Sequence, residues 1–153
     1  MSLIGQRERA QIKEWFDRSL SHDLNIIHFT NRTYHKPLLV VPGSEHHYYR
    51  ETCDLLEEVA SLSEKIRLQI YDFDADAKAA EQYHIDKIPA TVLVGDKDYG
   101  VRYFGIPSGY EFSTFIQSII AVSKGTAGLS QETSRQLQKI SQEVHIQVFV
   151  TPG

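Results

Sequence analysis

Asp86-Lys87-Ile88-Pro89-Ala90-Thr91-Val92-Leu93-Val94 is a strand opened by a proline. A residue with locked φ and no N–H is tolerated at the first position of a strand and not at its centre, so Ile88-Pro89 marks the entry. Downstream, Gly95-Asp96-Lys97-Asp98 separates this run from Tyr99–Phe104, and the two read as a β-hairpin. Upstream, Ile66 to Phe73 alternates as a strand and Asp74 stands where it would cap a short helix through about Tyr83. The stretch from 66 to 94 then reads as a βαβ unit with a compact right-handed crossover, and with the hairpin it gives a mixed sheet.

Toward the amino end, Ile12, Trp15, Phe16 and Leu20 recur at helical spacing on a helix from about Gln6 to Leu20. Leu24–Thr30 and Pro37–Val41 follow as two strands joined by a polar stretch, a second hairpin. Pro42-Gly43-Ser44 breaks the chain before a long helix, about Glu45 to Lys65, whose apolar stripe is Tyr49, Cys53, Leu56, Val59, Ala60 and Leu62. Beyond the first hairpin, Ser108 and Glu111 have the spacing of a capping box for a helix that buries Phe112, Phe115, Ile116, Ile119 and Ile120. Gly125-Thr126-Ala127-Gly128 has linker composition. After it, a helix capped by Ser130 runs to about Ile140 and Val144–Val150 reads as a strand. That helix and strand repeat the order and length of the first pair, Gln6–Leu20 and Leu24–Thr30; generic patterning explains this as readily as an internal repeat.

Composition narrows the function classes. The 153 residues, 41% apolar, suffice for one domain and a small appendage. No apolar run approaches the roughly 20 residues of a membrane span. The amino end is charged and carries no signal-like segment, so a cytoplasmic protein is expected. A net charge of −4 with both signs interspersed lacks the basic stripe of a nucleic-acid binder. A single cysteine, Cys53, permits no internal disulfide, and no zinc-type spacing occurs.

Tyr99–Phe112, containing Phe104-Gly105-Ile106-Pro107-Ser108-Gly109-Tyr110-Glu111-Phe112, together with Asp72-Phe73-Asp74 and Ile88-Pro89-Ala90-Thr91, resembles the amino-terminal unit of tandem glutaredoxin-like protein disulfide oxidoreductases. It is also similar to the amino-terminal domain of the alkyl hydroperoxide reductase flavoprotein subunit, another tandem of two such units. The resemblance implies an α/β, thioredoxin-like fold: three αβα layers around a mixed central sheet, with an extra N-terminal helix and strand. It implies a cis Ile88–Pro89 bond, where the residues alone leave an ordinary trans proline open. Phe149-Val150-Thr151-Pro152 matches the strand leading into the second unit's CxxC. Residues 1–125 are then a thioredoxin-like unit lacking CxxC, 126–129 a linker, and 130–153 the first helix and strand of a second unit cut short.

Where the family's first unit carries CxxC, this chain has His46-His47-Tyr48-Tyr49, with His46 and Tyr49 in place of the two thiols. Dithiol exchange needs an attacking thiolate and a second thiol to resolve the mixed disulfide. No catalytic residue is therefore expected in this unit, and no cofactor or metal; a site made of His46, His47 and either His35 or His28 is the competing idea. Cys53 is a candidate for the single reactive thiol of monothiol exchange, but its place on the apolar stripe reads as a buried, inert thiol. Asp72 and Asp74 would serve as acid or base if buried, but Asp74 reads as a cap and Asp72 as a partly exposed strand-end carboxylate. Ile88, Pro89 and Ala90 are the expected peptide groove. Tyr48, Tyr49, Tyr99, Tyr103 and Tyr110 form either a docking surface or separate half-buried rings. Expected partners are the second unit of the parent chain, protein or peptide disulfide substrates, and a second copy of the chain; nucleic acid and membrane are not expected. The alternative to a scaffold within an oxidoreductase is a stand-alone peptide- or partner-binding module.

Overall fold

The structure is a computed structural model that describes residues 3–32 and 46–150, His46 and His47 by their backbone alone. Its elements are α1 (Gln6–Ser19), β1 (Leu24–Thr30), α2 (His46–Ala60), β2 (Ile66–Asp72), α3 (Ala77–Gln82), β3 (Ala90–Val94), β4 (Asp98–Phe104), α4 (Tyr110–Lys124) and α5 (Gln131–Leu137). The expected strand 37–41 and its hairpin lie outside the described residues.

The strands lie in the order β2-β1-β3-β4. β1 runs parallel to β2, from Leu24 opposite Ile66 to Thr30 opposite Asp72. It runs antiparallel to β3, with Phe29 opposite Ala90, and β3 continues into the β4 hairpin. Alternation along β1 sends successive side chains to opposite faces. Leu24 and Ile26 join Phe16, Leu56, Val59, Leu93, Phe115 and Ile116 beneath α1, α2 and α4, while Ile27 and Phe29 join Ala80, Ile85 and Val92 beneath α3. This is the thioredoxin-like three-layer arrangement, with α1 as the extra helix and β1 as the central early strand. No helix of the described residues is long and apolar enough to cross a membrane.

Five expectations are corrected. First, the stretch 66–94 is not a parallel βαβ unit; the parallel crossover is β1–α2–β2, and β3 lies antiparallel on the far side of β1. Length decides this. A seven-residue strand spans about 23 Å, and returning to its start needs a helix of similar length. The 15 residues of α2 supply about 22 Å and the six of α3 only about 9 Å. Second, Trp15 is 44% exposed; at 100° per residue it lies a quarter-turn off the line through Ile12, Phe16 and Leu20.

Third, α3 starts at Ala77 behind Asp76, without a side-chain cap. An extra turn, closed by the Asp76 N–H donating to the Asp72 carbonyl at 2.8 Å, carries Asp74 out of capping position. Fourth, α4 starts after Gly109, whose φ of 59° turns the chain, so Ser108 falls one residue too early to form its box with Glu111. Fifth, α5 is capped by Ser130 as expected but ends at Leu137, and 144–150 forms no strand. Ile146 and Phe149 are 80% and 90% exposed. The edges of the sheet are β2 and β4, and 144–150 pairs with neither, so no ladder holds its alternating pattern as a strand.

Candidate functional site

The Ile88–Pro89 bond is cis. Ile88 and Pro89 are half-buried, and Ala90 is fully buried between Phe29 and Phe104 in the sheet register. The Pro89 carbonyl accepts from the Gly105 N–H at 2.9 Å, and Gly105 has a φ of 94°, a conformation only glycine adopts without cost. The Phe104-Gly105 motif thus braces the proline loop from β4. Lys87 lies over the Phe104 ring with Nζ 4.7 Å from its centre.

His46 opens α2 and Tyr49 is half-buried in its first turn. A helix amino terminus favours an anion and would lower the pKa of a thiol held there. The one thiol lies elsewhere. Cys53 is seven residues on, about 10 Å along the axis, and 3% exposed. Burial pushes it up to about 12, a hydrogen bond with the Thr30 side chain is the next influence and works the other way, and the nearby Glu57 and Asp54 charges raise it further. In this state the sulfur is protonated at any physiological pH and is neither nucleophile nor metal ligand.

Under α2 lies a polar layer of which sequence reading named only His28, and that as a metal ligand. Thr30, Thr52, His28 and Thr91 are all fully buried. His28 Nδ1 lies 3.0 Å from Thr91 Oγ1, and the Thr52 hydroxyl donates to the Tyr48 carbonyl one turn back. The signal was available in β1, where His28 and Thr30 share the parity of Leu24 and Ile26 and so must point into the same core.

The acidic strand end is structural. Asp72 Oδ1 accepts from the Ala75 and Asp74 N–H groups and Oδ2 from the Arg32 N–H. These donors, Ala75 first, hold its carboxyl below the ordinary range. Asp74 accepts from the Asn31 amide at 3.3 Å. Of the histidine metal idea, His35 and the side chains of His46 and His47 lie outside the described residues. Among the described residues no group of three or more His, Cys, Asp and Glu could hold a metal. Tyr48, Tyr99 and Tyr110 are exposed and Tyr49 and Tyr103 half-buried, so the five tyrosines divide.

No protein-family model matches the chain. Among characterised sequences it is 25% identical over 114 residues to an NADH dehydrogenase of Bacillus subtilis, covering 74% of this chain and 20% of that protein. It is 29% identical over 102 residues to an alkyl hydroperoxide reductase polypeptide of Pseudomonas putida, covering 65% and 17%. Among solved structures, a protein disulfide oxidoreductase from Aeropyrum pernix superposes with a TM-score of 0.77 at 20% identity, over 97% of this chain and 60% of that one. The alkyl hydroperoxide reductase AhpF of Enterococcus faecalis gives 0.72 at 22% identity, over 89% and 60%. The chain therefore spans about a fifth of the length of the curated relatives it matches. It shares the thioredoxin-like fold of these solved structures.

Proposed function

We propose that this chain is a redox-silent thioredoxin-like unit that acts as scaffold and docking surface for a following CxxC unit in thiol–disulfide exchange. The observation that carries the reading is the separation of scaffold from chemistry. The proline loop is present and braced, while the sole thiol is buried in α2 with its pKa pushed up to about 12. His46 and Tyr49 stand for the lost thiols, and half-buried Ile88 and Pro89, with buried Ala90 behind them, offer the groove to a peptide. Residues 126–129 are the linker, and 130–153 contribute the first helix and strand of the following unit. Two facts support that part: the segment 131–150 buries no side chain here, and both solved likenesses extend well beyond the span of this chain.

The test is reduction of a disulfide-bonded protein such as insulin by dithiothreitol. The chain is expected to leave the uncatalysed rate unchanged, and so is Cys53→Ser. Turnover by the wild type that the serine variant loses would refute the reading.

A second reading is a stand-alone binding module. Val144, Ile146, Val148 and Phe149 are all more than half exposed, which favours strand pairing with another chain. Light scattering that finds a strict monomer, with no response to unfolded peptides, would remove it.

A further inference from the structure

The two edges of the sheet are not alike. Along β2 the outward backbone groups belong to Ile66, Leu68, Ile70 and Asp72, because Lys65 and Phe73 turn theirs inward onto Leu24 and Thr30. Three of these points are already taken. The Ile66 N–H donates to the Ser63 carbonyl at 3.1 Å, the Ile70 carbonyl accepts from the Arg32 guanidinium at 2.7 Å, and the Asp72 N–H donates to the Asp76 carboxylate at 2.9 Å. A strand arriving at β2 meets side chains in its way. On β4 the Gly105 N–H donates inward to the Pro89 carbonyl, so by alternation Phe104 and Arg102 turn their N–H and C=O groups away from β3. The Asp98 carboxylate closes the start of this edge by accepting from the Gly100 N–H at 2.8 Å. Beyond that point the Arg102 guanidinium is held on Asp98 and the Tyr83 carbonyl, and among the described residues no side chain reaches the backbone of Arg102 or Phe104.

The faces beside the open edge differ as well. Val101 and Tyr103 pack on the main core, whereas Phe104, opposite Ala90, shows a ring 44% exposed on the other face. One segment of the chain carries the matching pattern. In an extended 144–150, Val144, Ile146, Val148 and Val150 share one face and Phe149 takes the other, and these five side chains are between 49% and 90% exposed. With the aliphatic face beside Val101 and Tyr103, Phe149 falls on the face of Phe104 whichever way the added strand runs. Resting on the reading of the chain as a binding module, we propose that β4 is the acceptor edge of a reciprocal strand exchange between two copies of this chain. Segment 144–150 of each copy pairs along Val101–Phe104 of the other, and reciprocity closes the pair with two-fold symmetry.

Light scattering over a concentration series, with amide exchange followed residue by residue, tests the exchange. The dimer fraction is expected to rise with concentration. In the dimer the Arg102 and Phe104 amides slow by about tenfold or more, while the Leu68 amide on β2 keeps its monomer rate. Ile146→Lys combined with Val148→Lys is expected to weaken self-association by about tenfold or more, by placing charges on the added strand. Its melting should match the wild type, since 144–150 buries no side chain. A dimer protected at β2 instead, or one that the double lysine variant leaves intact, overturns the exchange and leaves the binding module standing. Protection of Arg102 and Phe104 in a monomer at every concentration gives the edge to the chain's own tail and overturns it too. A strict monomer that still responds to unfolded peptides removes the exchange alone; one that does not respond removes the binding module with it. The insulin assay is independent of each result, because no thiol takes part.

Discussion

A thiol reagent added to the native chain at about pH 8 reads the environment of Cys53 directly. Burial in α2 moves the thiol from its ordinary 9.0 to about 12. At that pH the folded state then holds about one thiolate in ten thousand molecules, against about one in ten for an unburied cysteine, a thousandfold difference in reactive species. With 3% of the residue exposed, direct attack on the folded state is sterically shielded as well, which slows it further. Native labelling by a chromogenic disulfide should therefore run at least about a thousandfold below the rate in urea. The same shift has a pH signature. Below pH 9 the sulfur is protonated in both states and the contribution to stability is complete. Between 9 and about 12 the unfolded chain releases a proton that the folded chain keeps, so stability falls across that window. Cys53→Ala should lose that part of the alkaline slope. Native labelling within tenfold of the unfolded rate would refute the reasoning and restore Cys53 as a candidate nucleophile.

Other perturbations test the packing around the site. Gly125 closes α4 at a φ of 67°, and a Cβ there would come within 2.8 Å of the Tyr99 hydroxyl, so Gly125→Ala should cost about 1–3 kcal/mol in urea unfolding, with Gly125→Asn milder. Glu58→Ala leaves the Leu3 and Ile4 N–H groups and Arg9 without that acceptor; a loss of about 1–3 kcal/mol and faster amide exchange at the start of α1 are expected. Phe16→Ala should cost about 3–5 kcal/mol, since the ring is 1% exposed in the main core. Asp98 is held below the ordinary carboxyl range, first by its Arg102 hydrogen bond. Its contribution is complete above the unfolded value of 3.8 and is lost as pH falls through the lower folded value; Asp98→Asn should flatten the acid limb there, as followed by circular dichroism.

Local rules reached far in this chain. The proline-led strand, the β3–β4 hairpin, α1, β1, α2 and α4 follow from apolar periodicity and turn chemistry, because each buries a face whose spacing is written in consecutive residues. The site's defining absence was equally local: one cysteine cannot run dithiol chemistry wherever the fold puts it. Tertiary structure decided what depends on distances between elements. It chose β1–α2–β2 as the parallel crossover, because only α2 is long enough to carry the chain back along a strand. Trp15 and Asp74 belong to the local side: the 100° step of α1 sets Trp15 a quarter-turn off the buried line, and the turn closed by the Asp76 N–H on the Asp72 carbonyl carries Asp74 out of capping position. The tertiary fold alone set Thr30 against Cys53, His28 against Thr91 and Gly105 against Pro89, pairs separated by 16 to 63 positions. Val144–Val150 has a strand's alternation and no strand, because alternation fixes which face a residue would occupy, whereas a strand exists only where another chain segment satisfies its hydrogen bonds.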